Sequence, residues 1–562
     1  MAELPRGNPA SLVADEVKTG LDVLDYTPHK KRSAEGAENQ SADNGCVCRY
    51  EAPQGPTQGP SVETNIETIL TKISSIERHL GLGTQSPLFI APESTREKSR
   101  PPRFASLSIK DDQFAAIVFH TDINLSTHAR SLELDHALEY NNGGSVAVFR
   151  HSAHELGQLF FRHTYNWFPI LSKREIFDKL PLLQNTVCAG SPDLFLLLMV
   201  LAIGGLNAND SIGPFQAEQF HTQALSMLGC VLEEVSLRSI QCVILLCIFY
   251  GLKLMPMKAQ EYLSIGSIKM QNLMEIQPVN KSVDESGDIV YNLGEYETRA
   301  FWALFILESE YAGVLYFANT GLFSYASNMK FPSLVGEEPY PWPGSPESNS
   351  SEIDESDPHF LAEIGVRKII DRTCYTFNNS QSHTMGTTPF ASIVAKELQS
   401  QLDEWYLCLP QSITFDKSTW PVTNTRHSTR AIIRAQYFAT AILMYWPCMM
   451  EIIMTGECPT QEHRDVFKTS IDSYVQLVLC GTSVRLSELP TAWPHAVSIF
   501  AMTATIVRMT QRAPLAYDRS EELNSTIQRA FAFLESMAQS SPSVRYFTTI
   551  LHDLHNCRIN SN

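Results

Sequence analysis

The sequence lacks an excess of basic residues and lacks a long apolar run. Its 562 residues carry 61 acidic and 43 basic side chains, which gives a formal net charge of −18 at pH 7. This charge repels a phosphate backbone, so the bulk of the chain is not expected to bind nucleic acid non-specifically. The two most apolar stretches, Leu194–Leu206 and Ser239–Leu252, are shorter than the roughly 20 residues of a membrane-spanning helix. We predict that both are buried helices and that the chain has no membrane partner.

The first twenty residues lack a basic segment followed by an apolar core, so we predict no secretory signal and an intracellular protein. Twelve cysteines are scattered along the chain, and Cys230, Cys242 and Cys247 lie within apolar runs. A free thiol in such a run behaves as a small hydrophobe. We therefore expect free cysteines in the core and no disulfide framework.

Common catalytic motifs are missing as well. The sequence has no glycine-rich phosphate loop, GxSxG elbow, HExxH pair or calcium loop. His151, His154 and Glu155 come closest to a metal-binding triad, but the HxxHE order lacks the i, i+4 histidine pair that places two ligands on one helix face. We expect these three residues to lie at the surface or at a helix start.

An all-helical enzyme with magnesium-binding carboxylates is a remote alternative. Asp111 begins the stretch DDQFA, which has no later acid. Asp210 lies in NDSIGPFQA, where a hydroxyl and a carboxylate would be needed at Gly213 and Ala217. These residues do not assemble a magnesium cage, so we predict no catalytic residues and a protein that is not an enzyme.

The chain is 44% apolar and long enough to bury a large core, which favours one large domain with accessory segments. Residues 1–61 are rich in Gly, Pro, Ser and charge without periodicity, so we predict a disordered N-terminal region. Its one tight basic run, Lys30–Arg32, is interpreted as a solvated run rather than a nuclear localisation signal.

A periodic pattern begins at residue 62. Six apolar residues recur at spacings of 4, 3, 4, 3 and 4, which keeps one seam on one side of a helix and predicts a short coiled coil over 62–81. Gly81 and Gly83 then end the helix. An amphipathic helix lying on the main domain is the open alternative. The predicted dimerisation residues are Val62, Ile66, Ile69, Ile73, Ile76 and Leu80.

Residues 82–149 are predicted to be a linker region, because prolines and basic residues alternate in their first part. From 150 to 560 helical spacing dominates; Leu156, Phe160 and His163, for example, fall on one face. Strand-like alternation is scarce, so we predict an all-α fold. An acidic, proline-rich stretch over 336–358 is expected to be a solvated loop within this domain.

Several stretches in this region share the order of aromatic helices, turns and apolar helices of one known family. The first is Leu159–Leu180, in which Phe168–Leu171 reads as a Phe-Pro-Ile-Leu turn. Further stretches follow in order: Ser191–Leu206, Ser236–Tyr250 with its Ser-Ile-Gln step, Glu295–Leu307 with an Arg-x-x-Trp pattern, Leu402–Phe415, and Arg434–Met449.

Together these stretches resemble the fungal-specific transcription factor domain, and the resemblance covers most of residues 155–560. It implies a large helical domain that is regulatory rather than catalytic. Phe168, Pro169, Ile170, Leu171, Trp302 and Trp446 are interpreted as core and turn residues.

Members of this family carry an N-terminal zinc binuclear cluster with six cysteines, which places a short helix in the DNA major groove. Here residues 45–50 match the end of that cluster at Gly45, Cys48 and Tyr50. No cysteine precedes Cys46, and two thiolates one residue apart cannot complete a tetrahedral site. Cys48 is therefore only a remnant zinc ligand. Either the first 44 residues come from a mistaken or alternative start, or the protein has lost the cluster.

The resemblance thus implies a nuclear, dimeric regulator of RNA polymerase II transcription that acts with the transcription machinery. Zinc and DNA would be bound only if the native product contains a complete cluster. The alternative is a regulator without DNA binding that heterodimerises with a partner or sequesters it. Family members often control secondary metabolism or nutrient use.

Overall fold

The structure is a computed structural model of the chain, and the residues it describes fall between Phe114 and Ile559. The predictions for the N-terminal region 1–61, for Cys48 and for the seam from Val62 to Leu80 lie outside the described residues. The described ranges are 114–139, 151–184, 191–276, 281–283, 289–314, 320–333, 356–380, 388–419, 428–458, 460–485, 488–513 and 520–559.

Helices dominate the described residues, which confirms the predicted all-α class. The first nine are α1 (Phe114–Phe119), α2 (Leu125–Glu139), α3 (Ala153–His163), α4 (Lys173–Lys179), α5 (Pro192–Leu206), α6 (Gly213–Leu225), α7 (Leu228–Glu233), α8 (Leu237–Leu252) and α9 (Pro256–Ile276). The following nine are α10 (Glu295–Val314), α11 (Ser356–Ser380), α12 (Thr388–Leu407), α13 (Ser428–Met444), α14 (Trp446–Thr455), α15 (Gln461–Gly481), α16 (Ala492–Arg512), α17 (Ser520–Ala538) and α18 (Pro542–Ile559).

One antiparallel hairpin interrupts these helices. Its strands, β1 (Lys281–Val283) and β2 (Ile289–Tyr291), pair Lys281 with Tyr291 and Val283 with Ile289. Short 3-10 helices cover Leu180–Gln184 and Leu322–Tyr325.

The two apolar stretches noted in the sequence form α5 and α8 at the centre of the core. Ser191 caps α5 by accepting a hydrogen bond from the Leu194 amide, and Pro192 occupies the first turn, where its missing N–H has no cost. Every residue from Phe195 to Gly205 is buried, as expected of a helix that is apolar all round. The prediction of buried helices is therefore confirmed.

Among the described residues no single helix is long and apolar enough to cross a bilayer. One pair, Thr429–Met444 and Trp446–Thr455, meets those two criteria together, with a bend of 54° between its helices.

Two glycines allow helices to cross closely. A Cβ at Gly204 of α5 would overlap the Leu156 carbonyl oxygen of α3, and a Cβ at Gly251 of α8 would overlap the Pro490 carbonyl oxygen before α16. Only a residue without a side chain permits such backbone approach. The second crossing joins the middle of the chain to its C-terminal helices.

The linker predicted for 82–149 contains two packed helices, so the helical body begins before residue 150. Phe114 of α1 is fully buried and stacks on Trp446, with ring centroids 5.8 Å apart. The Arg508 guanidinium of α16 donates to the Val118 carbonyl at 2.6 Å. The short apolar run of α1 gave no periodicity by itself, since its partners lie more than 300 residues away in the sequence.

The cysteine prediction holds in part. Cys242 and Cys247 are free and buried, whereas Cys230 is exposed. Burial raises the pKa of the Cys247 thiol well above its ordinary value, which makes it an inert core residue. Cys230 lies in the short helix α7, whose buried side is formed by Val231.

Candidate functional site

Two of the sequence motifs of the helical region contact the turn at Phe168–Leu171. The Gln241 side chain of α8 donates to the Ile170 carbonyl at 2.6 Å, and Arg299 of α10 donates to the Pro169 carbonyl at 3.4 Å. Buried carbonyls need such partners. The Ser-Ile-Gln step of α8 and the Arg-x-x-Trp pattern of α10 therefore each provide a side chain that donates a hydrogen bond to this turn.

The same face of α10 holds the segment that follows the 3-10 helix Leu322–Tyr325. Trp302 donates through Nε1 to the Lys330 carbonyl at 2.7 Å and stacks on Phe331, with centroids 5.1 Å apart. Arg299 donates to the Ser333 carbonyl at 3.0 Å. These motif residues are packing and turn residues, and the buried Trp302 and Trp446 agree with that interpretation.

A second polar feature is a charged stripe on α11 that lies inside the core. His359, Glu363, Arg367 and Asp371 are spaced four residues apart, which places them on one helix face, and all four are buried. Charged side chains are almost never fully buried unless they are paired. We call these four residues the α11 stripe.

Arg367 is the centre of this stripe. Its Nε donates to Glu363 Oε1 at 3.0 Å, and its Nη2 forms an ion pair with Glu310 of α10. Glu363 Oε1 also accepts from the Gln436 amide of α13 at 2.6 Å. Three helices are therefore joined by one buried network.

Asp371 and His359 occupy the two ends of the stripe. Asp371 Oδ1 lies 3.4 Å from the Ser309 hydroxyl of α10. His359 packs edge-on against Trp167, with ring centroids 5.1 Å apart. Burial lowers the pKa of His359 to about 4, so this imidazole is neutral at physiological pH.

The network contains more acid than base. Three carboxyl groups lie around the Arg367 guanidinium, and Lys368 adds a second positive charge that acts on Asp371. Burial raises the pKa of Glu310 to about 7 and that of Asp371 to about 8, although Arg367 opposes both shifts. Glu363 Oε2 and Asp371 Oδ2 are buried and have no hydrogen-bond partner among the described residues. Incompletely paired buried groups weaken a fold. The α11 stripe with Glu310 is therefore the candidate functional site, because it buries incompletely paired charges between three helices.

The other candidate residues have structural roles. Ser152 caps α3, and Glu155 completes the capping box through the Ser152 backbone amide at 2.8 Å, as the helix-start interpretation predicted. His151 Nε2 lies 3.0 Å from Asp210 Oδ2, and Asp210 Oδ1 accepts from the Gly213 amide at 2.8 Å at the start of α6. Within the described ranges, no group of three or more His, Cys, Asp or Glu residues could hold a metal ion.

The α11 stripe was not predicted from the sequence, although its spacing of four residues is visible there. Such a stripe ordinarily marks the solvent-facing side of a helix. The only contrary signal is that apolar residues also surround it, at Phe360, Ile364, Val366 and Ile369. A helix that is apolar on most sides has no solvent-facing side left for its charges.

The sequence was compared with protein families, with curated proteins and with solved structures. Residues 158–407 match the family described as the fungal specific transcription factor domain. A protein of Aspergillus rugulosus named "Putative transcription factor ecdB" is 27% identical over 381 residues, which cover 62% of each chain. The chain thus spans less than two thirds of the length of that relative. No solved structure matches the chain.

Both matches are with transcription factors and not with enzymes, in line with the predicted absence of catalysis. The matched range also contains the turn at Phe168–Leu171, the Arg-x-x-Trp pattern of α10 and the whole α11 stripe. Residues 158–407 are therefore similar in sequence to the fungal specific transcription factor domain.

Proposed function

We propose that the protein is a nuclear regulator of RNA polymerase II transcription whose helical domain controls its activity. The observation that carries this proposal is the match of residues 158–407 to the fungal specific transcription factor domain. The name of the Aspergillus rugulosus relative supports it. The genes under control belong to a secondary-metabolism or nutrient-use pathway.

A tethering experiment tests the regulatory role. The full chain is fused to a heterologous DNA-binding domain, and transcription of a reporter with the matching sites is measured in a fungal host. We expect the fusion to change reporter output relative to the DNA-binding domain alone. Equal output from a stably expressed, nuclear fusion would contradict the proposed function. The untethered chain tagged with a fluorescent protein tests the nuclear location.

DNA binding is proposed to require a zinc cluster that ends at Cys48. The match at Gly45, Cys48 and Tyr50 supports this. Mapping the 5′ end of the native transcript shows whether five further cysteines precede Cys48. A complete cluster should bind DNA with affinity that falls steeply with salt and disappears on zinc chelation. Sequence-specific binding that persists after chelation would exclude this mechanism.

A second candidate function is a regulator without DNA binding that acts through a partner. It is favoured by the first 187 residues of the chain, which contain only Cys46 and Cys48 as cysteines. The seam from Val62 to Leu80 is then the proposed interface. Replacing Ile69 and Ile73 with Asp should abolish association of the full chain with itself or its partner, because it buries charge in the seam. Unchanged association would exclude the seam as the interface.

A further inference from the structure

Helix α2, which packs against α9 and α18, buries mostly small and charged side chains. Ala129, Glu133 and Ala137 are spaced four residues apart and are buried, so they lie on the face that meets the rest of the protein. Leu125 in the first turn is also buried, but Leu134 is 41% exposed. Alanine removes little apolar surface from water. The docking of α2 therefore depends largely on polar contacts.

Glu133 makes the main polar contact between α2 and α18. Its Oε1 accepts hydrogen bonds from the Ser543 amide at 3.0 Å and from the Ser543 hydroxyl at 2.6 Å. It also accepts from the Ser541 hydroxyl, just before α18 begins. A carboxylate at the N-terminus of a helix is favoured by the free amides and by the helix dipole. Glu133 thus caps a helix that begins about 410 residues later in the chain.

The Glu133 carboxylate is only partly satisfied in this position. Its Oε2 is buried and has no hydrogen-bond partner among the described residues. Such an oxygen has lost its hydration without compensation, which reduces the net free energy gained by docking. On undocking, both carboxylate oxygens regain water. The docked state of α2 is therefore less strongly favoured than that of an apolar helix such as α5.

The preceding helix, α1, is attached in a different way. Phe114 is fully buried, and Phe119 stacks on Phe500, with ring centroids 5.8 Å apart, so aromatic packing anchors α1. Between the two helices, His120 has a positive φ of 55°, and residues 122–124 are exposed. A change of backbone angles at this exposed junction moves α2 and leaves α1 in place.

We propose that α2 is a strap that undocks as a unit while the remaining helices stay folded, and that Glu133 is the residue that holds it in place. Undocking uncovers the first turn of α18 and the Tyr546 ring, which packs edge-on against His128 with centroids 4.5 Å apart. A single helix of 15 residues is marginal in water, so the undocked α2 unfolds. Any partner that binds only the open state shifts this equilibrium.

Hydrogen–deuterium exchange of the full chain, read by mass spectrometry of its peptides, tests the proposal. In the wild type, the α2 amides should exchange at least about tenfold faster than those of α10, because α2 opens locally. Glu133→Ala should speed exchange in α2 by about a further tenfold, because hydrogen bonds to a charged group are lost. Protection of the first turn of α18 should fall as well, whereas exchange in α1 and α10 should not change.

Asp135→Ala is the matched control, since Asp135 lies on the exposed side of α2. It should leave exchange in α2 within about twofold of the wild type. Glu133→Gln, which keeps an oxygen for the Ser543 amide but not the charge, is the second variant in case Glu133→Ala does not fold. It should speed exchange in α2 by less than Glu133→Ala.

Four outcomes would overturn the proposal. The wild-type α2 exchanges as slowly as α10, or folded Glu133→Ala leaves exchange in α2 unchanged. Alternatively, Glu133→Ala speeds exchange in α10 as much as in α2, which would mean that α2 opens only when the whole protein unfolds. The fourth outcome is that neither Glu133 variant folds, since α2 is then an obligatory part of the fold and not a strap.

Discussion

At the scale of single residues, the positive charge of Arg367 offsets the cost of burying the carboxyl groups of the α11 stripe and Glu310. Its guanidinium contacts Glu363 and Glu310, and desolvated carboxylates without a cation are strongly destabilising. Burial opposes the charge of Arg367, but Glu310 and Glu363 raise its pKa above the ordinary value. The burial of the stripe's carboxyl groups therefore depends on the positive charge of Arg367.

We expect Arg367→Met, which keeps a long side chain without the charge, to lower the free energy of unfolding by about 3–5 kcal/mol. The loss arises because Glu310 and Glu363 are left buried without a cation. Chemical denaturation monitored by circular dichroism measures it. The matched control is Arg174→Met on α4, where the side chain is 77% exposed. A change in Arg367→Met as small as in the control would show that the pair contributes little.

The pKa of Asp371 gives a second prediction at this scale. Its pKa in the folded protein, about 8, lies above the ordinary aspartate value of 3.8, so the folded state holds its proton more tightly than the unfolded state. The contribution to stability is therefore complete at low pH and is lost as the pH rises toward 8. Asp371→Asn removes this loss.

Asp371→Asn should be more stable than the wild type at pH 8 by about 1–3 kcal/mol, and this advantage should shrink toward pH 5. Melting temperatures across this pH range test the expectation. Asp178→Asn, at an aspartate whose side chain is 67% exposed, should show no such pH-dependent gain. A gain that is the same at every pH would mean that Asp371 is not the titrating group.

At the scale of elements, the crossing of α3 and α5 depends on Gly204. A methyl group there would overlap the Leu156 carbonyl, which is backbone and cannot rotate away. Overfilled contacts of this kind cost about 1–3 kcal/mol and occasionally more. The crossing also positions the turn at Phe168–Leu171, because that turn follows directly after α3.

Gly204→Ala should therefore lower the free energy of unfolding by about 3 kcal/mol. Gly229→Ala is a matched control in α7, since a Cβ at Gly229 meets nothing within 4 Å. This control should be neutral or should gain up to about 1 kcal/mol, because alanine favours helix over glycine. Equal effects of the two substitutions would show that α3 shifts to accommodate the methyl group.

At the scale of the whole molecule, the matched domain and the C-terminal helices share one core. Gln436 of α13 donates to Glu363, and the Tyr311 hydroxyl of α10 donates to the Pro490 carbonyl at 3.3 Å. From the opposite end of the chain, the buried Glu133 of α2 accepts from the Ser543 amide at 3.0 Å. The folding unit therefore extends beyond residue 407 in one direction and before residue 158 in the other.

A chain ending at Leu407 should not fold, because it loses the partners of α8, α10 and α11 and exposes their apolar faces. The expected result is an insoluble product or one without a cooperative thermal transition. The full chain, expressed in parallel, should melt cooperatively. A soluble 1–407 product with a sharp transition would show that the matched range is an independent domain.

Much of the fold followed from local sequence pattern. The spacing of Leu156, Phe160 and His163 gave a helix face, and the apolar runs gave α5 and α8, because helix periodicity is a property of neighbouring residues. The helices α1 and α2 were missed, since their apolar runs are short and their packing partners lie far along the chain. Cys230 was predicted to be buried but is exposed, because an apolar run does not indicate which side of a short helix faces solvent.

The sequence by itself determined the all-α class, the order of the family motifs and the structural nature of Phe168–Leu171, Trp302 and Trp446. Only the tertiary structure decided that the charges of the α11 stripe are buried and that Gln241 and Arg299 donate to the turn at Phe168–Leu171. The physical reason is that burial and pairing depend on which helices meet. Those meetings arise from contacts between distant parts of the chain, which no local spacing encodes.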